Sequence, residues 1–541
     1  MSGVSSLSYA SKPTPSEDKL RGGYYTPEPI AQYVAQWVAE AGSTLLEPSC
    51  GDGAILTHLV KAAVSADSVR GVELVLEESR KASTNTGAEV VNADFFQWFD
   101  ASALGRFDGV AGNPPFIRFG SWAEESREAA LDLMRSQGLK PSKLTNAWVP
   151  FVVAAVMAVR PGGRVGLVLP AELLQVGYTA ELRAYLLDNC SDVTVVSFRR
   201  LIFPGIQQEV VLLLAVRGEG PAQVRTIEVE DASQLDGVDP MNAIALRAEL
   251  HEREKWTKYY LDPAQIEILR RMRSDDRLQQ LRAFGSVDVG VVTGRNAFFC
   301  MPATDARTTG LAKFLTPLVA RSNQISGIRF TADDLKNNDA GTANTRLLQI
   351  PSGFPIAKNL QLAEYVADGE REGVDTGYKC RIRKEWWVVP SVWVPDAFML
   401  RQISTHPRII ANAAGATSTD TVHRVRMQDG VSAEGLSAGA FNSVTFAMSE
   451  ILGRSYGGGV LELEPSEAEA LPVPDPVLVP KKLIPQVDKL VRAGKLDEAL
   501  DLVDRQVLVG KLGFTSDEVA ECRKIWERLR DRRIGRKARV K

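Results

Sequence analysis

Histidine and cysteine are scarce in this chain: four and five residues among 541. The cysteines, Cys50, Cys190, Cys300, Cys380 and Cys522, stand far apart with no C-x-x-C pair. That spacing argues against a disulfide framework or a zinc cluster and fits a reducing cytoplasm. The histidines have no metal-ligand spacing either, so no metal is expected. No apolar run approaches the roughly 20 residues of a membrane-spanning helix. The opening stretch MSGVSSLSYASKPTPSEDK is polar, without a hydrophobic signal region, and reads as a short disordered leader. A surplus of one charge is missing too. The net charge of −3 excludes a wholesale nucleic-acid coat, though it leaves room for one basic face on an acidic body.

What the chain does have is alternation. Over residues 1–220, helical spacing (IAQYVAQWVAE, AILTHLVKAAV, WVPFVVAAVMAV) alternates with short apolar runs (STLLEP, VRGVEL, AEVVNAD, FDGVAG, RVGLVLP, VTVVSF, EVVLLLAV). Continuous Val/Leu runs between helices predict a mostly parallel sheet buried on both faces, a doubly wound, Rossmann-like α/β domain. After 220 the alternation stops. Residues 221–475 mix β-like stretches with long polar loops and predict a second, mixed α+β domain. ELEPSEAEALPVPDPVLVPKK reads as a Pro-rich linker. Residues 476–541 read as a helical segment with a basic tail, either a solvated helix end or a phosphate-contacting tail.

Open parallel sheets bind ligands outside the carboxyl ends of their strands. The first strand is followed by Glu47-Pro48-Ser49-Cys50-Gly51-Asp52-Gly53, whose glycines allow a tight turn and close approach of a ligand. Glu73 ends the second strand, where an acid about 20 residues past a Gly turn binds ribose hydroxyls or simply opens a helix. After the third strand, Asp94 either accepts from an adenine amino group with Phe95 against the ring, or caps a helix whose aromatics enter the core. After the fourth comes Asn113-Pro114-Pro115-Phe116, where two prolines end the strand and stiffen the backbone. Four such placements at four consecutive strand ends converge on one crevice.

LEPSCGDGAIL followed by NPPF resembles the S-adenosylmethionine-dependent amino-methyltransferases of DNA, and the motif order resembles the gamma group of N6-adenine methyltransferases. GGYYTPEPIAQYV resembles the family's first motif, with Thr26 at the cofactor position. The resemblance implies S-adenosylmethionine as cofactor, held by Thr26, Glu47, Ser49, Cys50, Gly51, Glu73, Asp94 and Phe95. It implies catalysis by Asn113, Pro114, Pro115 and Phe116. Phe203, in Phe203-Pro204, resembles the aromatic that packs on the target base together with Phe116. RVGLVLPAELL and SKLTNAWVPFVVAA resemble later motifs. Asp52 and Phe116 depart from the commonest pattern; Phe116 lacks a hydroxyl but keeps a stacking face.

The chemistry follows. An adenine amino nitrogen is a poor nucleophile because its lone pair is delocalised into the ring. Two rigid acceptors, the Asn113 side-chain oxygen and the Pro114 carbonyl, would favour a localised lone pair. A base inside a duplex must first be flipped out, at a few kcal/mol, and stacking on an aromatic returns roughly 1–3 kcal/mol per base. The expected partner is double-stranded DNA, with the second domain giving target recognition. Arg381, Arg383 and Trp386, and further on Thr419 and Arg424, are its candidate DNA-binding residues. The expected setting is a restriction–modification system with a separate cognate endonuclease and a monomer acting on DNA. The alternative is an NPPY-type methyltransferase acting on RNA or a protein glutamine.

Overall fold

The computed structural model describes residues 26–203, 209–245, 255–456 and 458–535. The leader, residues 22–25 of GGYYTPEPIAQYV, Pro204, Gly457 and the end of the basic tail lie outside the described residues. Two compact units divide at Thr257/Lys258.

Unit 1 is built on eight strands: β1 (Leu45–Glu47), β2 (Val69–Glu73), β3 (Glu89–Asn92), β4 (Phe107–Gly112), β5 (Val159–Pro170), β6 (Cys190–Phe198), β7 (Val210–Arg217) and β8 (Gln223–Val229). Their order is β3-β2-β1-β4-β5-β7-β6-β8. β1 runs parallel to β2 and β4, β2 to β3, and β4 to β5. β7 is antiparallel to both β5 and β6, and β8 is parallel to β6. The sheet is doubly wound and mostly parallel, with helices on it. β8 extends it past residue 220, where the sequence suggested a boundary. QVRTIEV sits at the edge of the sheet with only three of its seven residues buried, so it lacks the continuous apolar run that marks the central strands.

Helix α1 (Glu28–Ala39) buries Ile30, Ala31, Val34, Ala35, Trp37 and Val38, a stripe at helical spacing. It lies on β4 and β5 because those strands carry glycine beneath it. A Cβ at Gly109 would stand 2.7 Å from the Val38 carbonyl oxygen, and one at Gly166 would stand 3.2 Å from Val38 Cγ1. This close packing brings Thr26, two residues before α1, to the end of β4. Helix α2 (Ala54–Ala62) follows the Gly turn. Trp148–Ala158 is buried almost all round, as its uniformly apolar sequence requires, and Pro161-Gly162-Gly163 falls within β5 rather than closing that helix.

Unit 2 holds a five-stranded sheet ordered Gly285–Asp288, Val422–Met427, Ala397–Leu400, Ile409–Asn412, Arg329–Phe330, and a four-stranded one ordered Cys300–Pro302, Asn344–Leu348, Leu315–Val319, Thr417–Ser418. The Pro-rich stretch is not a linker. Pro465 opens the helix Pro465–Glu469, and Pro472–Val473 pairs with Gln279–Gln280 in a two-stranded sheet. Leu463, Ala468, Leu471 and Val473 are fully buried. Proline suits both a first helical position and an edge strand, so composition alone misled. The closing helices belong to the same unit. Ser516–Gly535 packs on Ser443–Leu452, and the Arg533–Glu450 pair is buried between them, 2.6 Å apart.

Candidate active site

The strand order reverses between β1 and β4, and a sheet of this kind opens its ligand crevice at that point. The two carboxyl ends there are Glu47 and the residue after Gly112, Asn113. Thr26 joins them from the start of α1. The Asn113 amide donates from Nδ2 to Thr26 Oγ1 at 3.2 Å, which directs its Oδ1 to the other side. Pro114 is buried and Phe116 half-buried. Phe116 packs on a core cluster in which Phe203 is buried.

On the β1 side the turn is tight. Gly51 has φ +51° with open space where a Cβ would point, and Gly53 has φ +95° at the start of α2. Glu73 binds across this turn: its Oε2 accepts from the Gly51 N–H and its Oε1 from the Val75 N–H, each at 2.8 Å. Glu47 is 2% exposed, and its Oε2 has no hydrogen-bond partner among the described residues; nor has the buried Ser49 Oγ. Buried polar atoms are seldom left so, and these two oxygens on one Gly turn suit a bound ligand. Burial pushes the Glu47 carboxyl well above the usual range, and the neighbouring Glu73 and Asp52 add to it. Burial raises Glu73 too, against the hydrogen bonds from Val75 and Gly51. The Cys50 thiol is raised by burial and then by Glu47 and Glu73, which leaves it inert as a nucleophile. A crevice of crowded acids, an unsatisfied carboxylate oxygen and an unsatisfied hydroxyl fits a hydroxylated, cationic small molecule.

Asp94 and Phe95 follow β3. Asp94 Oδ1 caps a short helix, accepting from Phe96 N at 2.9 Å and Gln97 N at 3.2 Å; Oδ2 takes no hydrogen bond among the described residues. Phe95 is buried and stacks on Phe151 with centroids 5.1 Å apart. The capping and core roles are therefore present, and only one carboxylate oxygen is left for an adenine.

One residue escaped the sequence reading. Asn146, just before the apolar helix Trp148–Ala158, looks like a helix cap, yet its buried Oδ1 has no partner among the described residues. The bond from Ala147 N to Ile117 O, 2.9 Å, sets it beside the segment that follows NPPF.

In unit 2 the expected DNA-binding residues divide. Thr419 is fully buried and donates to the Ala320 carbonyl at 2.8 Å. Arg424, 4% exposed, donates to the carbonyls of Val289 and Ser391. Arg383 donates to the carbonyls of Val292, Thr293 and Trp386. Trp386 packs against Phe298 and donates to Glu370. These four hold the unit together, and their polar groups are spent on the protein itself. Arg381 alone of the five is exposed.

The sheet order and the crevice at its reversal define an S-adenosylmethionine-dependent methyltransferase fold. Residues 9–266 match the family described as N-6 DNA Methylase, and residues 253–508 match the C-terminal domain of Type II methyltransferase M.Eco57I. Residues 9–266 thus carry an N6-adenine DNA methyltransferase family domain. Among its relatives is the Type II methyltransferase M.XamI of Xanthomonas campestris pv. amaranthicola, 22% identical over 84% of this chain and 85% of that protein. The Type II methyltransferase M.HincII of Haemophilus influenzae is 20% identical over 40% of this chain and 41% of its own length. The Type IIL restriction–modification enzyme MmeI in complex with DNA aligns over 95% of this chain and 73% of its own, at 12% identity and a TM-score of 0.49. No helix among the described residues is long and apolar enough to cross a membrane.

Proposed function

We propose that Asn113, Pro114 and Phe116 hold and activate the N6 amino group of a flipped-out adenine in a specific duplex DNA sequence. The observation that carries this is the Asn113–Thr26 hydrogen bond at the point where the sheet order reverses. By accepting from Nδ2, Thr26 fixes which face of the amide points away from it, so Asn113 Oδ1 accepts from one adenine N–H while the Pro114 carbonyl accepts from the other. Because the prolines hold both oxygens in place, no reorganisation is needed as positive charge develops on the nitrogen. Phe116 supplies the face on which the extruded ring stacks, and it packs on the core cluster that contains Phe203.

Glu47 and Ser49 hold S-adenosylmethionine through their unsatisfied oxygens, Thr26 and Cys50 line the same pocket, and the Gly51 turn lets the ligand approach the backbone. Glu73 takes the ribose hydroxyls, and Asp94, with Phe95 behind it, the adenine moiety. When bound, S-adenosylmethionine supplies an electrophilic sulfonium methyl. No side chain need become a nucleophile, in keeping with the raised Cys50 thiol. The chain acts as a monomer on DNA in the cytoplasm, as the modification partner of a separate cognate endonuclease. The match of residues 253–508 to a Type II methyltransferase C-terminal domain supports this setting over RNA or protein substrates. Transfer of tritiated methyl to duplex DNA, RNA and protein tests the reading. Label in duplex DNA, at adenine N6, is expected; label confined to RNA or protein overturns it.

A further inference from the structure

Residues 378–384 of unit 2 read YKCRIRK, with four cations and no acid. Arg383, the third of these cations, turns inward and fastens the segment to a neighbouring loop, donating to Val292 O at 3.0 Å and Thr293 O at 2.8 Å. Gly294, with φ +86°, brings that loop against the segment: a Cβ there would meet Lys379 Cβ at 3.0 Å. The loop's next residue is Arg295. The result is one fastened surface on which Arg295, Lys379, Arg381 and Lys384 are all exposed. None of the four forms an ion pair among the described residues. The arginines at 277, 346, 401, 454, 492 and 533 of the same unit all do. Of the neighbouring carboxylates, Glu385 accepts from Ser352 and Gly353 and Glu370 from the Trp386 ring, while Asp375, close to Cys380, forms no ion pair among the described residues.

Between the cations stand two large apolar side chains, Tyr378 at 65% and Ile382 at 60% exposure. Unpaired cations on a rigid surface suit a polyanion, and exposed apolar side chains among them suit one that also offers apolar surface. Duplex DNA offers both, a row of phosphates and groove walls of sugar and base edges. A merely solvated basic helix face would need no fastening through Arg383 and would not expose Tyr378 and Ile382 together. We infer that this surface is a DNA-binding face of unit 2, in which Arg295, Lys379, Arg381 and Lys384 bind phosphates while Tyr378 and Ile382 enter a groove. The inference rests on the proposed function, because it takes DNA as the substrate.

The test measures binding of the full chain to duplex DNA across salt concentrations. Arg381→Gln and Lys384→Gln, separately and together, are expected to flatten the plot of log affinity against log salt by about one unit for each phosphate no longer neutralised. Tyr378→Ala is expected to weaken binding with the slope unchanged, because an apolar side chain releases no counterion. S-adenosylmethionine binding by each variant verifies the fold. Acetylation of Lys379 and Lys384 in the unmodified protein gives a readout free of substitutions, and DNA should protect both. Unchanged slopes in the glutamine variants, or equal acetylation with and without DNA, overturn the surface while leaving DNA methylation intact. A chain that methylates no DNA fails at the earlier proposal instead.

Discussion

Two polar stretches look alike in the sequence and differ in the structure. The turn after β1, Glu47 to Gly53, and the stretch Thr417 to Arg424 are both dense in hydrogen-bonding side chains. In the second, Thr417 donates to Trp393 O, Ser418 to Val422 O, Thr419 to Ala320 O and Arg424 to Val289 O and Ser391 O. Those side chains act as internal staples between segments distant in the chain. In the first, Glu47 Oε2 and Ser49 Oγ have no hydrogen-bond partner among the described residues, and burial, with Glu73 and Asp52 nearby, raises the Glu47 carboxyl. Polar density is the same signal in both. Buried oxygens left without a partner mark the crevice, whereas the staple leaves only His423 Nδ1 so, its other ring nitrogen bonding Leu463 O, and the difference appears only once the chain is folded.

The contrast can be broken most sharply at Asn113. Asn113→Ala should cut methyl transfer by about a hundredfold or more, the usual cost of losing one preorganised group that stabilises developing charge, with cofactor binding and thermal stability retained. Unchanged turnover would remove the catalytic assignment. Arg424→Ala probes the other side. It should cost about 2–3 kcal/mol of stability by leaving buried carbonyls unbonded, without altering the salt slope of DNA binding. A changed slope at full stability would restore Arg424 to the DNA face.

Glu47→Gln separates binding from stability. Burial raises the Glu47 carboxyl in the folded chain, so between the ordinary glutamate value and that raised value the native state holds an extra proton. Stability therefore falls as pH rises through this window, and Glu47→Gln should abolish the fall and raise the melting temperature of the ligand-free protein at neutral pH. The same variant should bind S-adenosylmethionine about tenfold more weakly, consistent with losing a hydrogen bond to a charged group. A melting curve lowered at every pH would contradict the account. The smallest effect belongs to Thr26→Val, which removes the acceptor for the Asn113 amide. Turnover should fall several-fold, in line with about 1 kcal/mol for one hydrogen bond, while the KM for DNA stays constant.

The central strands of unit 1 were legible because buried strands read as apolar runs, and the carboxyl ends of β1 to β4 named the crevice. β8 was not, because polar residues break up QVRTIEV and only three of its seven residues are buried. The second unit was opaque for a different reason. Its pairings are distant in sequence, such as Gln279–Gln280 with Pro472–Val473, and no local pattern announces them. Phe95 and Trp386 show the limit of residue type as a guide, since an aromatic beside a polar residue fits a ligand pocket and a packed core equally well.

The Arg533–Glu450 pair has a practical consequence. The match to the M.Eco57I C-terminal domain stops at residue 508, yet Arg533 also donates to the carbonyls of Ser404 and Gly459. Cutting the chain after 508 would strand the Glu450 carboxylate in the interior without its counter-charge, at about 3–5 kcal/mol. Anyone grafting this unit onto another methyltransferase would have to carry the final helix along with it.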